Sequence, residues 1–429
     1  MFKIFFYFGL VLLFAGCMGE VKPQIKPNQK VFEQEDAYIL FALRAEEVRD
    51  FKSASELFEK LYSKSEKKEY LYRFLQDMLI ARDEKSVIKK VDELTKGSFD
   101  DHKLIRIKIL ALIQLNKLED AKNIALKLVA LSKETGDYVL LSDIYIKLKK
   151  YDTALKYLES AYTKNYNEEI LDKMSILLYV NLQRKKDAIA QLETHTRVHG
   201  CSKLICMRLI GFYSDENNVD GLLSTYLRFY AIDKNDEIAK RIVQIYGYKK
   251  EYVKLIDFLK ESGSDDELLL QLYVNFKKYK EASSLSYKIY KENDDIKYLA
   301  QSAIYEYEST SDTDDKVVQK RVIEKLKKVV QEEENPVYLN YLGYLLIDHN
   351  IAVKDGISYV KRALKIDPKS AFYLDSLAWG YYKLGMCKKA YKIIIKATKL
   401  KGGDDKEVLK HVEKIKKCMN KKVKKRGRK

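Results

Sequence analysis

The stretch SLAWGYYKLGMCKKAYKIIIKATKL (Ser376–Leu400) decides the fold. Leu377-Ala378, Tyr381, Ala390, Ile394 and Ala397 recur at the 3–4 spacing of an amphipathic helix. Small residues at Ala378 and Ala390 permit two helices to cross closely, and the large ones fill the space beside them. The same marks recur at identical spacing in YVLLSDIYIKLKKYDTALKYLESAY (Tyr138–Tyr162), at Leu141-Ser142, Tyr145, Ala154, Leu158 and Ala161. Tyr338–Pro368 carries them again, at Leu342-Gly343, Leu346, Gly356, Val360 and Ala363, with one extra residue in the turn. A unit of this size cannot bury its own apolar faces, so it must stack on neighbours.

Working outward, the small mid-unit residue runs through Ala54, Ala121, Ala154, Ala188, Gly221, Ala282, Gly356 and Ala390. The steps from Ala121 to Gly221 are 33, 34 and 33 residues. Degenerate units cover Tyr70–Leu94 and Ile238–Leu259, and Tyr298–Val330 fits with a longer turn over Glu308–Asp315. These marks resemble the tetratricopeptide repeat. The resemblance implies an all-α, right-handed α-solenoid of about eleven helix pairs over residues 36–400. An unrelated α-solenoid is the alternative. After Leu400, Lys-Gly-Gly-Asp-Asp stops one helix and starts another, which predicts a capping segment over 401–420.

Composition agrees with a long helical chain. There are four prolines and 17 glycines in 429 residues, 33% of residues are charged and 46% are apolar. The formal net charge is +17, and seven basic residues crowd the last nine, KKVKKRGRK (421–429). Such a tail suits an anionic partner.

At the other end, the apolar run Ile4–Gly16 has 13 residues. That is short of the roughly 20 a spanning helix needs, and it fits the core of a secretory signal. Phe14-Ala15-Gly16-Cys17 resembles the lipobox of bacterial lipoproteins, with Phe14 where that family prefers Leu. The resemblance implies a signal peptide over 1–16, lipidation with acyl chains such as palmitate at Cys17, and membrane anchoring. An uncleaved anchor, or a plain signal with Cys17 incidental, is the alternative. Residues 17–35, which hold two of the prolines, read as a flexible tether. Met18 stands where Asp would resemble an inner-membrane retention signal, which favours the outer membrane.

An exported chain meets oxidising conditions, so its cysteines are expected to pair. Cys387 and Cys418 lie 15 residues either side of the Gly402-Gly403 turn, level on two antiparallel helices. Cys201 and Cys206 form a second candidate pair, with Cys201 in a turn after Gly200. Free thiols are the alternative. His195, His199, Cys201 and Cys206 also place four zinc-capable groups together, at a spacing unlike the common zinc motifs.

No nucleophile elbow, zinc-protease, Walker or dinucleotide motif occurs, so no catalytic residue and no cofactor is expected. Some soluble lytic transglycosylases append a catalytic domain to a helical superhelix, and the residues after the cap are too few for one. In the tetratricopeptide family the first helix of each pair lines a groove. That resemblance turns Asn340, Tyr344, Phe372, Asp375, Trp379 and Tyr382 inward as candidate peptide contacts. The alternative is that Tyr344 and Trp379 pack between helices. The expected function is a periplasm-facing, lipid-anchored scaffold, on the outer membrane, binding a protein or peptide in envelope assembly. Its tail would meet anionic lipid or lipopolysaccharide, not nucleic acid. Two other readings stand beside it: an activator of a peptidoglycan enzyme, and an envelope hydrolase with a metal at the His195 cluster.

Overall fold

The computed structural model describes residues 30–426, with side chains as far as Asn420. The expected signal segment 1–16, the expected lipidation site Cys17 and the first part of the expected tether lie outside the described residues, as do the last three residues of the tail. Among the described residues the regular structure is helical throughout, and no helix is long and apolar enough to cross a membrane.

The chain divides into two compact units. The first ends at Glu216 and holds α1 (Glu35–Glu47), α2 (Phe51–Ser65), α3 (Lys68–Ile80), α4 (Glu84–Thr95), α5 (His102–Gln114) and α6 (Leu118–Ser132). It continues through α7 (Thr135–Lys147), α8 (Tyr151–Asn165), α9 (Glu168–Ile176), α10 (Lys185–His199) and α11 (Lys203–Asp215). A π-helical turn, Leu177–Asn181, extends α9. The second unit holds α12 (Val219–Ile232), α13 (Asp236–Lys249), α14 (Tyr252–Ser262), α15 (Asp266–Asn275), α16 (Tyr279–Asn293) and α17 (Ile296–Glu308). Then come α18 (Lys316–Glu332), α19 (Pro336–Asp348), α20 (Val353–Ile366), α21 (Ala371–Lys383), α22 (Cys387–Ala397) and α23 (Lys406–Arg426). In chain order the first unit holds five helix pairs and α11, and the second holds α12, five helix pairs and a terminal helix. Each unit is a stack of such pairs, which is an all-α helical-repeat solenoid.

One local device sets most of the pairs. The turn inside the pair carries a residue at positive φ: Arg49, Arg82, Asn116, Lys149, Gln183, Lys250, Lys277, Asn350 and Gly385. The next amide then reaches back over the helix end, as Asp50 N–H does to the Ala45 carbonyl and Met386 N–H to that of Tyr381. This satisfies carbonyls that the helix leaves open. The following helix often starts on an aspartate, such as Asp50 or Asp83, whose carboxylate accepts from the amide three residues on. The degenerate units, α3/α4 and α13/α14, turn in the same way at Arg82 and Lys250. Between α17 and α18 the turn is longer, as the sequence predicts.

The small residues lie where helices meet. Ala54, Ala121, Ala154, Ala188, Ala282 and Ala390 are fully buried. Gly343 and Gly356 face each other across α19 and α20: a Cβ on either would come within 2.7 Å of the other's carbonyl oxygen. Gly221 is only half-buried, and its helix buries Leu223, Thr225 and Phe229 instead.

Both ends of the body differ from expectation. Order begins before residue 35: Phe32 packs on Tyr38 at 6.1 Å between ring centroids, and Lys64 lies over it. The expected tether therefore gives up its last residues to the first core. The terminal helix runs to Arg426, past the predicted limit of 420. Lysine and arginine are good helix formers, and Gly427 is the first residue that is not.

Candidate functional site

The six residues expected to line a groove near the end of the chain lie on α19 (Asn340, Tyr344) and α21 (Phe372, Asp375, Trp379, Tyr382). Helix α23 meets Tyr344, Asp375 and Trp379. The His411 imidazole stacks on Trp379, with ring centroids 3.9 Å apart and planes 16° from parallel. Tyr382 stacks on Trp379 at 4.7 Å. His411 Nδ1 sits 2.9 Å from Asp375 Oδ2, and the Tyr344 hydroxyl donates to Glu407. The Trp379 indole N–H donates to Asp348 Oδ1 at 2.8 Å. Trp379 is 4% exposed and Asp375 5%. Burial pushes the Asp375 carboxyl up, and His411 beside it offsets only part of that.

Tyr344, Asp375 and Trp379 hold the terminal helix on the last pair, and Asp375 and Trp379 are buried beneath it. Of the six, Phe372 is half exposed, against the Gly402 turn. The amide oxygen of Asn340 is buried without a partner. The expectation of an open groove is thus corrected at Asp375 and Trp379, which lie in a closed seam. The physical reason is that the cap occupies the place where the first helix of a further pair would stack. Cys387 and Cys418 fasten it, with sulfurs at bonding distance and Cα atoms 5.8 Å apart, within the span a disulfide bridges.

An open cleft occurs instead in the first unit, along the first helices of successive pairs. Its walls are α1, α3 and α5, and its volume is about 710 Å³. Tyr70, Tyr72, Arg73, Lys103, Arg106 and Leu110 line it. Lys103 lies over the Tyr72 ring at 5.1 Å. Arg106 holds Asp137 through two hydrogen bonds of 2.6 and 2.8 Å. That fork fixes its plane and leaves its aliphatic stem along the wall. Leu40 and Phe41 on α1 are more than half exposed, and Leu110 is 43% exposed. Aromatic rings, cationic heads and the uncovered Leu110 in the cleft, with Leu40 and Phe41 exposed beside its Ile39 on α1, suit an extended peptide with apolar and acidic residues.

Sequence reasoning passed over this cleft because the single tryptophan drew attention to the other end. The signal was present: Arg73 and Arg106 stand 33 residues apart, at the same place in consecutive units, as do Tyr70 and Lys103.

The His195 cluster lies in the first unit beside a second opening of about 770 Å³ between α8, α9 and α10. His195 is buried, with Nδ1 2.7 Å from the Tyr162 hydroxyl and Nε2 3.2 Å from Glu168 Oε1. Ser202 donates to the other oxygen of Glu168. His199 stacks near His195, at 4.7 Å between centroids. Cys201 and Cys206 have their sulfurs at bonding distance and Cα atoms 5.4 Å apart. The four groups weighed as zinc ligands are therefore engaged separately. Among the described residues no group of three or more metal-capable side chains converges.

No family model matches the chain, and no curated protein does. Several solved structures resemble it weakly. The Cut9–Hcn1 hetero-tetramer of APC/C is 10% identical, with a TM-score of 0.39, over 90% of this chain and 97% of that one. The Naa15/Naa10 complex bound to HypK-THB is 12% identical, with a TM-score of 0.28, over 88% and 65%. MamA from Desulfovibrio magneticus RS-1 is 14% identical, with a TM-score of 0.31, over 39% of this chain and 95% of that one. At these scores the likeness says nothing of function, and the helical-repeat architecture stands on the helices described above.

Proposed function

We propose that the protein is a non-enzymatic scaffold that captures a protein or peptide in the cleft of α1, α3 and α5. It is anchored by lipid at Cys17 and faces the periplasm, from the outer membrane, in envelope assembly. The cleft itself carries the binding reading, because it combines an open wall with exposed apolar and cationic side chains. The anchor and the compartment rest on Phe5–Cys17 and on the four remaining cysteines, which stand in two bonding pairs. The basic tail is assigned to anionic phosphate at the membrane, from lipid or lipopolysaccharide.

The test is crosslinking in intact membranes, with wild type, Cys17→Ser and a cleft variant, Lys103→Glu with Leu110→Asp. Both cleft residues are exposed, so the fold should tolerate them. Wild type should sediment with membranes and crosslink to a defined envelope protein. Cys17→Ser should be released, and the cleft variant should stay anchored and lose the crosslink. An undiminished crosslink in the cleft variant removes the cleft. A Cys17→Ser chain that still sediments removes the lipid anchor.

A further inference from the structure

Between Cys387 and Asn420 the chain has eleven lysines, four acidic residues and no arginine. All eleven lysines are exposed. Among the described residues none of them enters an ion pair. Elsewhere lysines are often paired, as Lys67 is with Glu35, Lys173 with Asp143 and Lys185 with Asp215 and Glu216. Two of the eleven lie over rings: Lys389 over Tyr381 and Lys414 over Trp379.

The spacing makes the lysines a surface. On α22, Lys388, Lys392 and Lys396 follow at steps of 4, and Lys399 stands in the turn just after the helix. On α23, Lys406, Lys410, Lys414 and Lys417 follow at steps of 4, 4 and 3. Such steps keep side chains on one helix face. In each helix that face lies away from the buried residues, which are Cys387, Ala390, Ile394 and Ala397 on α22 and Val408, His411, Val412 and Ile415 on α23. The two helices pack against each other and are joined at Cys387 and Cys418. The two stripes are therefore held on neighbouring rods. The backbone of α23 continues as helix to Arg426 through five more basic residues.

We propose that this lysine face docks on the phosphates of an anionic phospholipid surface. Lysine is a compact point charge on a flexible stem, suited to a diffuse field of phosphates. Recognition of a fixed carboxylate or of base edges favours the arginine fork, which the face lacks. Leu384 and Met386, in the turn that leads into α22, are 38% and 50% exposed. They leave apolar side chains uncovered at the start of α22, of the kind that enters a headgroup layer. The choice of a lipid surface over another polyanion rests on the membrane-anchored reading above. The face differs from the terminal tail in being folded, and it requires neither the tail nor the lipid.

The test uses the full Cys17→Ser chain, which carries no lipid, in sedimentation with vesicles. Vesicles of phosphatidylcholine are compared with vesicles containing phosphatidylglycerol. Binding is expected only to the latter, and it should fall at least ten-fold at about 0.5 M salt, where screening shortens to a few ångströms. Changing Lys388, Lys392, Lys396, Lys406, Lys410 and Lys417 to Gln should abolish it with helicity unchanged. Arginine at the same six positions should retain it. A chain ending at Asn420 should still bind. Binding that vanishes with the tail and survives the Gln changes overturns the proposal. Tighter retention on duplex DNA than on the anionic vesicles, at equal salt, overturns the lipid assignment. None of these outcomes depends on Cys17 or on the α1, α3 and α5 cleft, so failure here is separable from failure of the scaffold reading.

Discussion

At the scale of single residues, two buried carboxyl groups in the first unit give opposite pH dependences. Asp77 is 3% exposed, and its Oδ2 has no hydrogen-bond partner. Burial and the neighbouring Glu46 push its carboxyl up to about 7, against a weaker pull from Arg73. The folded chain thus holds a proton between about pH 4 and pH 7 that the unfolded chain releases. Stability is full below that window and falls as pH rises through it, by about 1.4 kcal/mol per unit at most. Glu35 is buried as well, and burial alone would raise it. Lys67, the Val31 amide and the Tyr70 hydroxyl together outweigh burial and lower it to about 2. Its contribution is full above the unfolded value and is lost as pH falls toward about 2. Urea titrations at several pH values separate the two. Asp77→Asn should flatten the decline between about pH 4 and pH 7 and be more stable than wild type above it. Glu35→Gln should be destabilised at neutral pH by about 1–3 kcal/mol and lose part of the acid-side slope. An Asp77→Asn chain with the wild-type slope would show that another group carries it.

At the scale of helices, the repeat depends on where glycine is required and where it is only tolerated. Gly343 meets Val360 and the Gly356 backbone, so Gly343→Ala must push α19 and α20 apart. Overpacking of this kind costs about 1–3 kcal/mol. Gly211, in the interior of α11, has nothing near its missing Cβ. Gly211→Ala should stabilise the chain by about 0.5–1 kcal/mol through helix propensity alone. Thermal melts of the two variants should move in opposite directions. A Gly343→Ala chain as stable as wild type would mean that the small residue is incidental to the crossing. The same reasoning explains what was legible in the sequence. Ala154, Ala390, Gly343 and Gly356 mark close crossings because nothing larger fits. The turns were less legible, because Arg49, Lys149 and Lys277 adopt positive φ without the glycine that would have signalled it. The candidate groove was misplaced for a related reason. The tetratricopeptide resemblance turned Trp379 and Asp375 inward on the first helix of a pair, and it carries no information about which side chains the terminal helix covers.

At the scale of the whole molecule, each unit holds one cysteine pair. The two close loops of different length, with sequence separations of 5 for Cys201–Cys206 and 31 for Cys387–Cys418. Chain-entropy reasoning gives about 2 kcal/mol for the shorter loop and about 3–4 kcal/mol for the longer. The longer link also holds α23 over Trp379 and Asp375, so its loss should loosen the helix that seals the last pair. Melts with and without reductant, on wild type and on Cys387→Ser with Cys418→Ser, test this. Wild type should lose stability in reductant, and the variant should start low and lose only the smaller part. Near-ultraviolet signal from the single tryptophan should weaken with the longer link and survive loss of the shorter one. If reductant leaves the wild-type melt and the tryptophan signal unchanged, the thiols are free in the native protein. The oxidising compartment then loses its support from the folded body, and the exported reading rests on Phe5–Cys17 alone.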